Sequence, residues 1–366
     1  MNVSKCSHCG RESVTIARIL SLCADCIRNH FDKVRARIES AHRIARQPFG
    51  LPIAPPQLEG ARRCRICINE CQMRDEECGF CGLPLGNRHI ASVSWYDDPL
   101  PTNCVATWVC PAGTGIGYPE FAYRSGPEVG YVNLAVFYHA CTFDCLFCQN
   151  WHFKRLTHRS RSVTPEQLAN AVHNRTACIC YFGGDPTPFL PHALAVSRIA
   201  LKNKPNRILR ICWETNGSAH PRLMRQMAKV SLESGGCVKF DLKAWDEKLH
   251  IALCGVSNKR TLENFAMVAT DFLPLRSEPP LLIASTLLVP GYIDEREVSG
   301  IAKFIASLNP DIPYSLLAFA PQFFMEDLPT TSRTHAERCL QAAKDAGLKR
   351  VHIGNIGLLG SAYTHS

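Results

Sequence analysis

No apolar run in this 366-residue chain reaches the ~18 to 20 residues that a membrane-crossing helix requires. A spanning helix is therefore not expected. The opening segment, Met1 to Arg11, lacks both the charged start and the apolar centre of a secretory signal, so the protein is expected in the cytoplasm. The chain also lacks a concentrated patch of one charge. Its net charge of +9 is scattered, and the densest basic stretch runs from Arg28 to Arg46 through Lys33, Arg35, Arg37 and Arg43. That stretch reads as the solvated face of a helix, and nucleic-acid binding is not expected. The length suits one large domain with one or two small ones.

Cysteine, by contrast, is abundant: 20 residues, many in Cys-x2-Cys pairs. In a reducing cytosol that pattern implies metal rather than disulfides. Cys6, Cys9, Cys23 and Cys26 form two knuckles with the spacing of a four-thiolate zinc ribbon, a closed site of structural type. A basic helix over Ile27 to Arg46 is expected next, then a proline-rich linker. A second group follows at Cys64, Cys67, Cys71, Cys78 and Cys81. Cys64, Cys67, Cys71 and Cys81 are the expected ligands of zinc or a single iron, with Cys78 spare and an auxiliary iron–sulfur cluster as the alternative. Cys104 and Cys110 lie in the glycine- and aromatic-rich stretch Trp108 to Tyr131, which has no clean period; they read either as core thiols or as caps of a site.

From Tyr131 onward apolar runs alternate with amphipathic segments. Strands are expected at Val132 to Tyr138, Ala177 to Phe182, Arg207 to Trp213, Gly236 to Leu242, Leu281 to Val289 and Tyr314 to Ala318, with a short one at Arg350 to Ile353. Helices are expected between them, at Thr164 to His173, Pro191 to Asn203, Pro221 to Glu233, Thr261 to Phe272, Glu295 to Ala306 and Thr334 to Ala346. Short continuous apolar strands alternating with helices predict an α/β fold with a parallel sheet. The residues with chemistry fall at the carboxyl ends of those strands, where α/β barrels keep their active sites. A curled, partial (β/α)6 barrel of TIM type, preceded by a cysteine-rich metal-binding extension, is the expected fold. The expected domains are 1–47 (ribbon and basic helix), 48–62 (linker), 63–130 (second cysteine segment and connection) and 131–366 (core).

Directly after the first core strand stand Cys141, Cys145 and Cys148. Three thiolates can hold a 4Fe-4S cluster and leave one iron open to a small molecule, whereas an electron-carrying cluster has four cysteines. A zinc knuckle or three core thiols would use the same residues without that chemistry. The pattern C-x3-C-x2-C, with Phe147 before its last cysteine, resembles the radical S-adenosylmethionine (SAM) superfamily. The resemblance implies that the amino and carboxylate groups of SAM chelate the open iron. It further implies that one electron cleaves the sulfonium to methionine and a 5'-deoxyadenosyl radical, chemistry of the cofactor that the protein positions and shields. Such a cluster implies an anaerobic or microaerophilic host.

Gly183-Gly184-Asp185-Pro186, after the second strand, is similar to the superfamily's Gly-Gly-Glu-Pro turn for the SAM amino group, with aspartate one methylene shorter than glutamate. Trp213-Glu214-Thr215-Asn216-Gly217 and Lys239-Phe240-Asp241-Leu242-Lys243, with the phrases from Asp246 to His250 and Gly255 to Asn264, resemble the activating enzymes of glycyl-radical enzymes, including the pyruvate formate-lyase activating enzyme. That resemblance puts Glu214, Thr215, Asn216 and Asp241 at a cation or SAM-proximal site and Lys243 at the SAM carboxylate; an ion pair closing the barrel end is the plainer reading of Asp241 and Lys243. Ser285 to Tyr292 and the tail to Asn355 resemble the AmmeMemoRadiSam group, which also carries a Cys-x2-Cys-x3-Cys segment ahead of its barrel. The catalytic candidates are Asp185, Lys243 and Cys254, the last as a hydrogen-atom relay in a loop near the mouth. Cys178, Cys180, Cys212, Cys237 and Cys339 read as buried thiols, and Trp151 and His152 as a water shield for the cluster loop.

Three functions follow as alternatives. The first is SAM cleavage followed by hydrogen abstraction from a protein or peptide, with a low-potential flavodoxin- or ferredoxin-type donor. The second is a radical C-methyltransferase, with cobalamin as a further cofactor, acting on a protein. The third is a non-catalytic iron–sulfur or zinc interaction protein.

Overall fold

A computed structural model describes residues 3–86, 88–158, 162–205, 207–361 and 363. The amino-terminal segment opens with an antiparallel pair, β1 (Ser4–Lys5) and β2 (Glu12–Ser13), and continues into the long helix α1 (Ala24–Arg46). A second small hairpin, β3 (Arg62–Arg63) with β4 (Gln72–Met73), carries the Cys64 group. Next come β5 (Ala91–Pro99) and the single turn α2 (Pro111–Thr114). The remaining elements alternate: β6 (Val132–Tyr138), β7 (Ser162–Val163), α3 (Pro165–Ala169), β8 (Thr176–Phe182), α4 (Leu190–Asn203), β9 (Arg210–Thr215), α5 (Pro221–Ser234), β10 (Val238–Asp241), α6 (Glu247–Cys254), α7 (Lys259–Asp271), β11 (Leu282–Leu288), α8 (Glu295–Leu308), β12 (Tyr314–Ala318), α9 (Arg333–Asp345) and β13 (Val351–Gly354).

The main sheet has nine strands in the order β13-β12-β11-β10-β9-β8-β6-β5-β7. All pairs from β6 to β13 are parallel, while β5 pairs antiparallel with β6 and with β7. The order runs open from β13 to β7, so the sheet does not close. The α/β reading and the seven parallel strands agree with the sequence, because strands buried on both faces carry near-continuous apolar runs such as Ala177–Phe182 of β8.

Three local features differ from expectation. The helix expected at Thr164 to His173 is one short turn, started by a Thr164–Gln167 capping box with Pro165 at its first position. Strand β5 was not foreseen; its apolar alternation covers only Ala91, Val93 and Trp95 before an acidic pair and proline. Helix α6 was also missed. It is short, capped by the Asp246 side chain at one end and by Gly255, with φ of 72°, at the other.

Helix α1 departs from a simple solvated face. Arg28 is buried and paired with Glu297 at 3.0 Å and Asp294 at 3.3 Å at the start of α8. Arg37 donates to the carbonyls of Arg18, Ile19 and Leu20, and Arg46 is 1% exposed. Only part of the basic stretch, including Lys33, Arg35 and Arg43, faces solvent.

Candidate active site

The cluster loop is held from below by the end of a helix. The last carbonyls of an α-helix have no intrahelical donor, and those of α6 are met by the loop: the Asp144 amide donates to Cys254 O at 2.8 Å and the Leu146 amide to Leu253 O at 3.0 Å. His42 Nε2, reaching across from α1, lies 3.1 Å from the carbonyls of Ile251 and Ala252. The Asp144 side chain is fully buried and meets Lys154, His42 Nδ1 at 2.9 Å and Arg46 at 3.4 Å. Burial alone would raise this carboxyl's pKa; Lys154, His42 and Arg46 outweigh it and hold the group well below the usual carboxylate range.

On this base Cys141, Cys145 and Cys148 line one cavity of about 880 Å³, a size suited to a small-molecule cofactor. The same wall includes Gly183, Gly184, Asp185, Glu214, Asn216, Asp241 and Lys243, so seven of the eight residues expected to bind cofactor meet the three cysteines; Thr215 does not line it. These three thiols are not a single-ion set: among the described residues only Cys6, Cys9, Cys23 and Cys26 bring all their ligand atoms within 4.8 Å of one another. A cube needs the wider arrangement, because each cysteine binds a different iron.

The Gly183-Gly184 turn fits only glycine. Gly183 has φ of 71°, and a Cβ there would lie 2.4 Å from the Phe137 ring. A Cβ on Gly184 would lie 2.2 Å from Ala140 O and 2.6 Å from Tyr138 O. The Asp185 amide donates to Ala140 O at 2.9 Å, tying the turn to the residue before Cys141. The Asp185 carboxylate accepts from the Thr187 amide (2.8 Å), the Asn216 amide (2.7 Å) and Thr215 Oγ1 (3.1 Å). Burial pushes its pKa up and these donors oppose the rise. Much of its acceptor capacity is thus spent on fixing the end of β9.

Asn216 Nδ2 donates to Thr142 Oγ1 at 2.7 Å and stands 3.8 Å from Cys141 Sγ. Glu214 pairs with Lys239 at 2.9 Å, and Asp241 with Lys243 at 2.7 Å. Burial works against the Lys243 ammonium, but Asp241 and the Cys145 thiolate hold its pKa above the ordinary lysine value. The expectation for Cys254 needs correction. It is the last residue of α6 rather than part of a loop, is fully buried and does not line the cavity; its thiol hydrogen-bonds Cys145 and lowers that thiol's pKa. A relayed hydrogen atom would have no open path there. Trp151 and His152 stack on each other at 3.9 Å, and Trp151 on Phe323 at 5.5 Å, beside the cavity rather than over it.

The amino-terminal thiols have the spacing of a mononuclear site. Cys9 Sγ and Cys23 Sγ are 3.8 Å apart, the edge of a tetrahedron whose corners lie about 2.3 Å from a central zinc. Cys64, Cys67, Cys71 and Cys81 are spaced more widely than that, and burial, with a smaller contribution from neighbouring thiolates, raises the pKa values of Cys67, Cys71 and Cys81. The segment docks beside the cluster loop: Ile68 N donates to Ser218 O at 2.9 Å, and Asn69 Nδ2 to Thr142 O at 2.8 Å. The residues sequence reasoning missed are the supports, His42, Arg46, Asn69 and Lys154. Their only sequence signal is polarity in otherwise apolar surroundings.

Residues 135–305 match the family described as Radical SAM superfamily. An uncharacterized protein of Methanocaldococcus jannaschii is 23% identical over 300 residues, covering 80% of this chain and 81% of that one. A putative glycyl-radical enzyme activating enzyme of the same organism is 28% identical over 188 residues, covering 50% of this chain and 65% of that one. Among solved structures, a domain of pyruvate-formate lyase-activating enzyme from Bacteroides vulgatus is 24% identical, with a TM-score of 0.36, over 48% of this chain and 98% of that one. Over residues 135–305 the chain thus matches the radical SAM superfamily, and it resembles the activating enzymes of glycyl-radical enzymes.

Proposed function

We propose that the chain binds SAM at a 4Fe-4S cluster held by Cys141, Cys145 and Cys148, cleaves it reductively, and abstracts hydrogen from a protein or peptide. The observation that carries this reading is the convergence of those three thiols and Gly183-Gly184-Asp185 on one cavity. When bound, the cluster and SAM together supply the one-electron cleavage that yields the 5'-deoxyadenosyl radical. The protein's own part is positional. Gly183 and Gly184 let backbone approach the SAM amino group, Lys243 offers a cation to its carboxylate, and Asp185 fixes the turn through Thr187, Thr215 and Asn216. Glu214 and Asp241 bring carboxylates to the same wall, each already matched by a lysine.

In this reading residues 131–366 are the catalytic core, a curled and incomplete barrel. Phe182 at the end of β8 and His352 on β13 line the same cavity, which supports the curl. Residues 1–47 are a zinc ribbon with its helix, 48–62 a linker and 63–130 a second metal-binding segment. The wide spacing of Cys64, Cys67, Cys71 and Cys81 favours a cluster over one ion in that segment. No described helix is long and apolar enough to cross a membrane; a cytoplasmic site and a flavodoxin- or ferredoxin-type donor belong to the proposal. Names among the relatives support a protein or peptide acceptor, since one is a putative glycyl-radical enzyme activating enzyme.

The test is anaerobic incubation of reconstituted protein with dithionite and SAM. The expected product is 5'-deoxyadenosine, abolished in Cys145→Ala while metal at Cys6, Cys9, Cys23 and Cys26 stays bound. Deuterated candidate peptides should pass label into that product. Cleavage retained in Cys145→Ala would overturn the assignment, and a corrinoid absorbance in the purified protein would favour methyl transfer over abstraction.

A further inference from the structure

Beneath the cavity just described lies a second chamber of about 440 Å³, and six cysteines line it: Cys104, Cys110, Cys178, Cys180, Cys212 and Cys237. They come from separate parts of the chain and share no motif. Strand register brings them together. Cys180 on β8 is the direct partner of Cys212 on β9, and the pairing of Val238 with Trp213 places Cys237 beside Cys212 in the same row. Three thiols therefore stand side by side on adjacent strands, with neighbouring strands about 4.8 Å apart. Cys104 closes the row from the connection before β6, its thiol donating to Glu214 at 3.3 Å.

A packed barrel interior is filled by layers of bulky branched side chains. Here inward positions of β8 and β9, and Cys237 just before β10, carry small thiols and leave space. The space is also charged. Lys239, 2% exposed, places Nζ 3.0 Å from Cys180 Sγ, 3.2 Å from Cys104 Sγ and 2.9 Å from Glu214. Arg210, 1% exposed, lines the same chamber and is held by Glu128. The buried Lys239 ammonium, shared with Glu214, supplies sulfur-directed donors of the kind an anionic sulfide-containing group accepts. The thiols do not gather to the spacing of a single-ion tetrahedron, so the group they would hold is a wider one.

We propose that Cys104, Cys180, Cys212 and Cys237 hold a second iron–sulfur cluster inside the sheet, separated from the Cys141 cavity by a wall that includes Cys104, Phe182 and Glu214. Its ligands are distinct from both amino-terminal groups. The site does not depend on SAM cleavage, so the two readings fail separately.

The test is a crystal of the full chain, prepared anaerobically with iron and sulfide, with anomalous data at the iron edge. A compact iron peak bounded by Cys180 and Cys212 is expected, apart from the one at Cys141, Cys145 and Cys148. A chamber that is empty, or that holds zinc or an organic molecule, overturns the proposal without reference to any variant. In solution, the Cys180→Ser, Cys212→Ser double variant should lose one cluster's complement of iron and acid-labile sulfide, while the electron paramagnetic resonance signal that responds to SAM persists. Iron and sulfide equal to wild type would contradict it.

Discussion

At Gly184 the working turn has no room for a methyl group. A Cβ would meet two carbonyl oxygens of the segment leading into the cluster loop, both backbone atoms that cannot rotate away. Gly184→Ala is expected to lower stability by about 1–3 kcal/mol, the usual range for overpacking, and to weaken SAM binding more than iron binding. Chemical denaturation and calorimetric titration with SAM would check both; unchanged SAM affinity would count against the role of this turn. Cys254 offers a different residue-scale test. Its thiol donates to Cys145, and a hydrogen bond to a cluster sulfur favours the reduced state. Cys254→Ala should shift the cluster's reduction potential to more negative values in a potentiometric titration while leaving iron content unchanged, whereas a relay role would leave the potential where it was and alter the fate of the radical.

Among elements, the helix–loop contact between α1, α6 and the cysteine loop is the most consequential. Asp144 meets both Lys154 and Arg46, each at most 2% exposed. Asp144→Ala leaves two buried cations without it and is expected to cost about 3–5 kcal/mol, read as a lower denaturation midpoint together with loss of iron from the Cys141 site. Arg46 also stacks its guanidinium 3.7 Å from the Phe80 ring centre and donates to Phe80 O, so α1 touches the second cysteine segment as well. Cys23 caps α1 and Cys26 lies in its first turn. Removing zinc from the ribbon with a chelator should therefore raise hydrogen exchange through the first turns of α1, and exchange rates unmoved by chelation would show that the helix does not need the ribbon.

These elements also explain what the sequence could and could not reveal. The strands β6 and β12 were legible to the residue, because each is a mostly apolar run interrupted by a single polar residue, Asn133 or Ser315. The tight turn at Gly183-Gly184 was legible through its two glycines. Helix α6 was not: its eight residues are mostly buried, its amphipathic signal is weak, and Cys254 consequently read as loop. The thiol row was not legible either. Alternation tells which face Cys180, Cys212 and Cys237 occupy, but only pairing register tells that they are neighbours. Asp144 was hidden by its place inside the cysteine motif, where two of its partners, His42 and Arg46, come from a helix about a hundred residues away in sequence.

For the whole molecule, the parallel sheet gathers the ends of strands from β6 to β13 around one cavity, and the amino-terminal segments brace its cysteine loop from outside. The amino-terminal ribbon is docked through Tyr292, whose hydroxyl accepts from Ala17 N and donates to Leu22 O, and through Arg28 to Glu297. The central claim is that one iron at Cys141, Cys145 and Cys148 has no protein ligand and takes SAM. The most direct measurement is electron–nuclear double resonance on the reduced, reconstituted protein with SAM carrying a heavy-nitrogen amino group. The account predicts a nitrogen coupling from the SAM amino group to the cluster, lost in Cys148→Ala. A cluster signal of full strength with no such coupling would contradict it.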